Sequence, residues 1–254
     1  LLQIALMILV GFFAGIMAST VGGAALINAP FLLLLGISPS VAIATGKFSL
    51  LSGSLIGGVK YYKTGIIQER KLLLILILLG VIGSLIGAQL VLKINQELLK
   101  LLIVAISIVV LFVIYFKKDI GSDIRKLELN TKNYVLNTFV IFLLSIYSGF
   151  FGAGVGVFML FTFAYLFGYT YLKSTAFMTL INTFTITAAS IIFSYHGLID
   201  FKIGIPLLIG NAIGGYTGSH AAILRGNKLI RPLFLIITSI IIIRLLIDII
   251  GGSK

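Results

Sequence analysis

The sequence predicts an all-α integral membrane protein built from two inverted repeats, and three observations support this fold class. First, 59% of the 254 residues are hydrophobic, only 10% are charged, and the mean hydropathy is +1.20, whereas soluble domains carry about 25% charged residues. Second, residues 1–46 and 133–172 contain no Lys, Arg, Asp or Glu. A spanning helix needs about 20 apolar residues, so each run has room for two hydrophobic segments. Third, both halves of the chain carry the same glycine pattern.

About ten apolar segments follow one another along the chain. Two of them, 24–36 and 155–167, are too short to span a bilayer at a helical rise of about 1.5 Å per residue. Each follows a glycine-rich break, which predicts either a re-entrant hairpin or a broken helical pair that meets near the midplane. In order, the segments are about 1–17, 24–36, 40–59, 72–92, 98–116, 133–150, 155–167, 174–195, 203–224 and 232–250.

The distribution of basic residues predicts the orientation. Lys47 and Arg244 fall within segments; of the other 17 Lys and Arg residues, 13 fall on one face and four on the other. Cytoplasmic loops are enriched in Lys and Arg. We therefore expect a multi-pass protein of the inner, cytoplasmic membrane, with both termini outside. The chain has no cysteine, which excludes disulfides and thiolate metal sites.

An internal repeat with an offset near 132 residues divides the chain. We interpret residues 1–116 as a first transmembrane repeat, 117–132 as a cytoplasmic linker and 133–254 as a second repeat. Each repeat holds one short pair and three crossings. Because three is odd, the second repeat starts on the opposite face and is inverted, an arrangement that places substrates between the repeats. The matching features are Gly15 and Gly22 with Gly149 and Gly156, residues 61–67 with 193–199, and Gly83 and Gly87 with Gly214 and Gly218.

The order of these motifs carries a family resemblance. A Gly-Phe-x-x-Gly motif at residues 11–15 runs into the break at Gly22 and Gly23, and Pro30, an Ala-Thr pair at 44–45 and a Tyr-Tyr-x-x-Gly turn at 61–65 follow. This pattern resembles the TauE/SafE family of sulfite and organosulfonate exporters, also called toluene-sulfonate uptake permeases, over essentially the whole chain. The resemblance implies transport of small sulfur oxyanions or organic acids across the inner membrane, with the ligand left open. The second half departs from the pattern where Val157 replaces glycine.

The two glycine breaks are the first candidate binding elements. A helix that starts at a break presents unpaired N–H groups and a positive dipole end, which favour an anion. Glycine also lets a ligand approach the backbone closely. The alternative is tight helix packing, which we favour for the glycines of the longer helices. The predicted substrate contacts are Ser19, Thr20, Gly22 and Gly23 in the first break, and Gly154 and Gly156 in the second.

Polar residues inside the third and eighth segments form a second set of candidates. Lys47 lies beside Thr45 within the hydrophobic zone of the first repeat. It would either give positive potential to an anion site or snorkel to the outer interface. In the second repeat, Thr179 is the counterpart of Lys47, and Asn182 and Thr183 follow it. These three side chains could hydrogen-bond sulfonate oxygens, or bond between helices.

Gln89 and His220 occupy matching positions at the far ends of the glycine-rich helices. Either could contact substrate, and His220 could carry a proton because histidine titrates near neutral pH. The alternative for His220 is an interface histidine. No Asp or Glu lies deep in a segment, so the usual carboxylates of proton relays are missing. Export of an anion from a negative interior is downhill without them.

These observations favour a secondary transporter that exports small sulfur-containing anions (sulfite, thiosulfate or organosulfonate) by alternating access. An anion channel, or a proton-coupled importer of organosulfonates or small carboxylates, remains the alternative. An intramembrane enzyme ranks last, because the segments hold no His-Glu-x-x-His motif and no Asp dyad. We expect no cofactor, catalytic residue or metal, no nucleic-acid partner, and contact with the bilayer, a small anion and possible further copies of the chain in a homo-oligomer.

Overall fold

The computed structural model describes residues 2–116 and 131–225, together with Ile243 and Ile247. Most of the predicted linker, 117–132, and the predicted last segment, 232–250, lie outside the described residues. The described residues form helices and no strands. The helices are α1 (Leu2–Thr20), α2 (Ala25–Leu34), α3 (Pro39–Lys63), α4 (Arg70–Lys93), α5 (Gln96–Phe116), α6 (Thr131–Phe150), α7 (Val155–Phe161) with a π-helical turn at Thr162–Leu166, α8 (Tyr171–Tyr195) and α9 (Phe201–Arg225).

Polar residues mark where several helices begin. The Asp200 carboxylate accepts hydrogen bonds from the N–H groups of Lys202 and Ile203, and Asn95 Oδ1 accepts one from Leu98 N–H. The Thr170 hydroxyl accepts from Lys173 N–H in the same way at the start of α8. Such caps satisfy N–H groups that have no partner within the helix. The capping residues Asn, Asp and Thr therefore mark in the sequence where these helices begin.

The helices turn large apolar side chains outward. On α4, Leu74, Leu78 and Ile82 are more than half exposed, while Gly80 and Gly83 on the opposite side are buried. In water such a face would be a liability, but against lipid tails it is the expected surface. Among the described residues, four helices (α1, α3, α4 and α8) are long and apolar enough to cross a membrane.

Glycines hold the two repeats together at two equivalent contacts. A Cβ on Gly15 would lie 2.3 Å from the carbonyl oxygen of Asn211 on α9, and a Cβ on Gly87 would lie 1.9 Å from that of Ile146 on α6. Only glycine permits backbones to approach this closely. The packing interpretation of the glycines in the longer helices is therefore confirmed at Gly83, Gly87, Gly214 and Gly218, each of which faces the backbone of a neighbouring helix.

Contact registers show that the repeats are inverted. Gly11 and Gly15 of α1 face Leu207 and Asn211 of α9, so residue numbers rise together and α1 and α9 run parallel. Helix α3 also runs parallel to α9. Its hydrogen bonds join Thr45 to Asp200, Ser52 to Leu208 and Lys60 to Tyr216, so the residue numbers of the two segments rise together. Helices α4 and α6 are parallel by the same test. The short turns 64–69 and 196–200 each reverse the chain, so α6 opposes its counterpart α1, and α8 opposes α3.

The short helices form hairpins with their predecessors. Since α1 and α3 are parallel, with Gly53 close to Gly15, the ten-residue α2 returns the chain to the side from which α1 started. At about 1.5 Å per residue, α2 covers only half of the roughly 30 Å hydrocarbon core. The predicted fold class is confirmed: an all-α membrane protein in which each repeat contains a short, broken pair.

Candidate functional site

A small cavity of about 30 Å³ lies where the two hairpins meet. The breaks touch directly, because the Gly156 N–H donates to the Gly22 carbonyl oxygen over 3.2 Å, and a Cβ on Gly22 would lie 2.3 Å from the Gly156 Cα. Equivalent positions of the two repeats line the cavity, so it straddles the pseudo-two-fold axis. These pairs are Ala18 and Gly152, Leu50 and Asn182, and Ser54 and Ile186.

Lys47 supplies positive charge to this cavity. Its side chain is only 5% exposed, and its ammonium donates to the carbonyl oxygen of Ser148 on α6. The ammonium also lies 3.4 Å from the position that a Cβ on Gly152 would occupy. Lys47 therefore points inward between the repeats, and the alternative that it snorkels to the outer interface is wrong.

No acidic side chain neutralises Lys47 within the described residues. Lys47 is the only charged side chain that is buried there, and the ion pair found in the same residues joins two other side chains. An isolated buried ion has a desolvation penalty of several kcal/mol. One carbonyl uses one of the three ammonium N–H donors, so the others are available to a ligand. A buried cation without a counter-ion is the expected anchor of an anion site.

Three further polar side chains face the cavity with unused hydrogen-bonding capacity. Asn28, Ser54 and Asn182 line it and are at most 5% exposed. The Ser54 hydroxyl and the Oδ1 atoms of Asn28 and Asn182 have no partner among the described residues. The Asn28 amide nitrogen is fixed by the Ser49 hydroxyl at 2.8 Å, whereas the Asn182 nitrogen donates to the Met178 sulfur at 3.3 Å. Unused buried polar groups of this kind indicate a place for a polar ligand.

The start of α2 adds a backbone contribution. Gly22, Ala24 and Ala25, which lead into the first turn of α2, line the cavity. The N–H groups of Leu26 and Ile27 already donate to the carbonyl oxygens of Gly23 and Ala24, so this helix end contributes its positive dipole rather than free donors. Together with the Lys47 ammonium, this helix end makes the cavity electropositive.

The predicted residues of the breaks divide into two groups. Gly22 lines the cavity, while Gly23, Gly154 and Gly156 are absent from its lining. The hydroxyls of Ser19 and Thr20 both donate to the carbonyl oxygen of Ile16 in their own helix. At Gly154 the backbone is left-handed with φ of 69°, and the residue packs on Val110. The second break therefore contributes Gly152 to the wall of the cavity and does not present a free helix end there.

The predicted residues of α3 and α8 also divide. Lys47 and Asn182 line the cavity, but the Thr45 hydroxyl accepts the Asp200 N–H over 2.9 Å and braces the turn before α9. Thr183 donates to the Thr179 carbonyl oxygen in its own helix. The Thr179 hydroxyl is buried without a partner in the described part of the chain, although it is not in the lining.

Gln89 and His220 lie outside this arrangement. Both are exposed at the ends of α4 and α9, and neither lines the cavity. The His220 ring stacks on Tyr216, with centroids 6.3 Å apart. The structure therefore does not bring these two residues to Lys47.

Sequence reasoning missed Asn28, Ser54 and Ser148. Asn28 is the polar side chain in the otherwise apolar α2, and that contrast was an available signal. Ser54 resembles the other small residues of α3, so its type carries no such signal. Ser148 acts through its backbone carbonyl, which residue identity cannot reveal.

A second contact joins the repeats at the turn between α3 and α4. The Lys173 ammonium of α8 pairs with the Glu69 carboxylate at 2.5 Å and lies 4.1 Å from the centre of the Tyr169 ring. Burial, and then the nearby Glu69 charge, raises the pKa of the Tyr169 phenol above its ordinary value. The phenol therefore stays neutral near pH 7.

Known proteins resemble this chain across nearly its whole length. The profile of the family described as "Sulfite exporter TauE/SafE" matches residues 7–245. A Bacillus subtilis protein named "Probable membrane transporter protein YjnA" is 30% identical, covering 93% of this chain and 96% of its own. "Probable membrane transporter protein ORF9" of Sinorhizobium is 29% identical over 96% and 93%, and YfcA of Escherichia coli K12 is 26% identical over 97% and 91%. No solved structure matches the chain.

Proposed function

The chain belongs to the sulfite exporter TauE/SafE family, and from this premise we propose that it exports small sulfur-containing oxyanions across the cytoplasmic membrane by alternating access. It is a membrane transporter and not an enzyme. The proposed substrates are sulfite, thiosulfate or an organosulfonate. The site is the cavity between the hairpins.

The buried Lys47 without an acidic partner carries this proposal. A buried cation without an acidic partner is costly alone, and a bound oxyanion would supply its missing counter-ion. The Ser54 hydroxyl is a donor suited to oxyanion oxygens, and the positive dipole end at the start of α2 adds favourable potential for an anion. The two repeats line the same cavity from opposite orientations, which is the usual place of a substrate in inverted-repeat transporters.

The size of the cavity supports alternating access. One water molecule needs about 10–15 Å³ of such space, so the roughly 30 Å³ present corresponds to about two waters. A sulfur oxyanion is larger, so the hairpins must separate to admit it. A carrier that opens and closes around its substrate meets this requirement, whereas a conducting channel needs a continuous passage.

Export in this mechanism needs no coupling carboxylate. Each negative charge that leaves a cell with a negative interior gains about 2.3 kcal/mol per 100 mV. In the described part of the chain no acidic residue lines the cavity. The membrane potential alone would therefore drive export of an anion.

The test is transport by the full chain in proteoliposomes with the membrane potential and the pH gradient clamped separately. We expect saturable sulfite or sulfonate efflux that a negative interior accelerates, and stimulation by the same anion on the opposite side. Continuous single-channel currents would replace the carrier by a channel. Flux that occurs only with a proton or sodium gradient would overturn potential-driven export.

A further inference from the structure

We propose that the site selects monovalent over divalent oxyanions, because the described lining of the cavity offers one positive charge, that of Lys47, and no second cation to balance a second negative charge. This inference rests on the proposed function and narrows its substrate class. It favours hydrogensulfite and organosulfonates over sulfate and thiosulfate dianions.

Charge balance in the cavity is the first argument. Lys47 faces Asn28 of α2, Ser148 of α6 and Asn182 of α8 across the lining, and these side chains do not ionise. Helices α1 and α9 contribute no charged lining residue in the described part of the chain. A monovalent anion with Lys47 gives a neutral pair. A dianion leaves one uncompensated charge in a buried site, where an unpaired ion costs several kcal/mol.

The orientation of the two amides is the second argument. The Asn28 amide is fixed by its nitrogen, which donates to the Ser49 hydroxyl at 2.8 Å, so its oxygen is the atom left without a partner. The Asn182 oxygen is likewise buried without a partner. Carbonyl oxygens carry partial negative charge and repel additional anionic oxygens. They accept well from an O–H group, which hydrogensulfite has and the sulfite, sulfate and thiosulfate dianions lack.

The dipole at the start of α2 does not replace a second cation. Its effect is equivalent to about half of an elementary charge and falls off within the first turn. At the second break, the Gly156 N–H is already used by the Gly22 carbonyl oxygen. The cavity therefore balances little more than one negative charge.

Methanesulfonate and sulfate provide a matched test, because both are tetrahedral and differ by a methyl group in place of a charged oxygen. Binding of each to the purified full chain is measured by isothermal titration calorimetry in one detergent at constant ionic strength. We expect wild type to bind methanesulfonate at least about tenfold more tightly than sulfate, since about 1.4 kcal/mol corresponds to tenfold. Isethionate and thiosulfate form a second pair with the same charges.

Three variants in the cavity lining and one control outside it connect the preference to the cavity. Lys47→Met should abolish binding of all four anions, whereas Lys60→Met makes the same change on the same helix at an ammonium that contacts Tyr216 outside the cavity and should leave binding unchanged. Asn182→Lys adds a second cation to the lining and should shift the preference towards sulfate by at least about tenfold. Leu50→Lys adds a cation at the equivalent position of the first repeat and should shift the preference in the same direction.

The outcomes separate this inference from the proposed function. Sulfate binding as tightly as methanesulfonate, with binding lost in Lys47→Met, would overturn the monovalent preference and leave the oxyanion site in place. No saturable binding of any of the four anions to folded wild type would overturn both. Because the wild-type preference is itself the primary measurement, the test remains decisive even where a buried new lysine prevents folding.

Discussion

Ser54 and Ser190 are both buried serines whose hydroxyls have no partner among the described residues, but only Ser54 lines the cavity. We expect Ser54→Ala to weaken anion binding about tenfold or more, because a hydrogen bond to a charged group contributes about 1.5–3 kcal/mol. Ser190→Ala should leave binding unchanged, and both variants should melt close to wild type. Calorimetric titration with a small sulfonate measures the first effect, and equal loss in both variants would contradict it.

For single residues, the sequence predicts which charged and polar side chains line the cavity better than it predicts their hydrogen-bond partners. Lys47 was predictable as a cavity-lining residue because a cation inside a spanning segment needs a cavity or a partner, and Asn182 because it interrupts an apolar helix. The partners of Lys47 were not predictable. A backbone carbonyl such as that of Ser148 has no signature in residue type, and the hydroxyls of Ser19 and Thr20 turn to their own helix, as Ser and Thr often do in apolar surroundings.

The contact between the two hairpins depends on glycine at Gly22 and Gly156. A Cβ on Gly22 would lie 2.3 Å from the Gly156 Cα and 2.9 Å from the Met178 sulfur. Gly65 has a similar left-handed conformation, with φ of 71° against 75° at Gly22, but open space around it. Substitutions at Gly65 and Gly22 therefore separate the free-energy cost of a left-handed backbone from the cost of close approach between two backbones.

We predict that Gly65→Ala lowers the free energy of unfolding by about 1–2 kcal/mol, the cost of a Cβ in this conformation. Gly22→Ala should lower it by about 1–3 kcal/mol more through overpacking and also weaken anion binding, since the added Cβ displaces the Gly156 backbone beside the cavity wall that Gly22 forms. Thermal melting in detergent and calorimetric titration provide the two measurements. Similar melting of both variants would show that the hairpins do not press together at Gly22.

The elements were largely predictable because hydropathy and glycine breaks are local signals. The second segment, expected over 24–36, is the helix Ala25–Leu34, and the third, expected over 40–59, is Pro39–Lys63. Helix α3 extends beyond the expected end at residue 59 because its last turn carries Lys60 and Lys63, and charged residues fall outside a segment defined by its apolar residues. The π-helical turn after Phe161 has no comparable signal, since it depends on packing rather than composition.

Inversion of the repeats makes a prediction for the whole molecule. Thr64 and His196 occupy equivalent, exposed turns of the two repeats, and inverted repeats place equivalent turns on opposite faces. The chain has no cysteine, so Thr64→Cys and His196→Cys each introduce a single thiol. We expect an impermeant maleimide to label Cys at 196 in intact cells, and Cys at 64 only after permeabilisation.

Labelling of both thiols from the same side would contradict the inverted arrangement. Labelling of Cys at 64 from outside and Cys at 196 from inside would keep the inversion and reverse the orientation that the Lys and Arg distribution predicts. The arrangement itself was predictable because it follows from an odd number of crossings per repeat. The direct hydrogen bond between the breaks was not, because contacts between distant segments depend on how whole helices pack.

The asymmetry at Lys47 has a consequence for the origin of the molecule. Two identical antiparallel subunits would present every group at their shared axis twice, so a paired ancestor with this lysine would have carried two cations across the gap. Here the equivalent position holds Thr179. A solitary charge at the axis therefore requires two halves of different sequence, which identical subunits cannot provide.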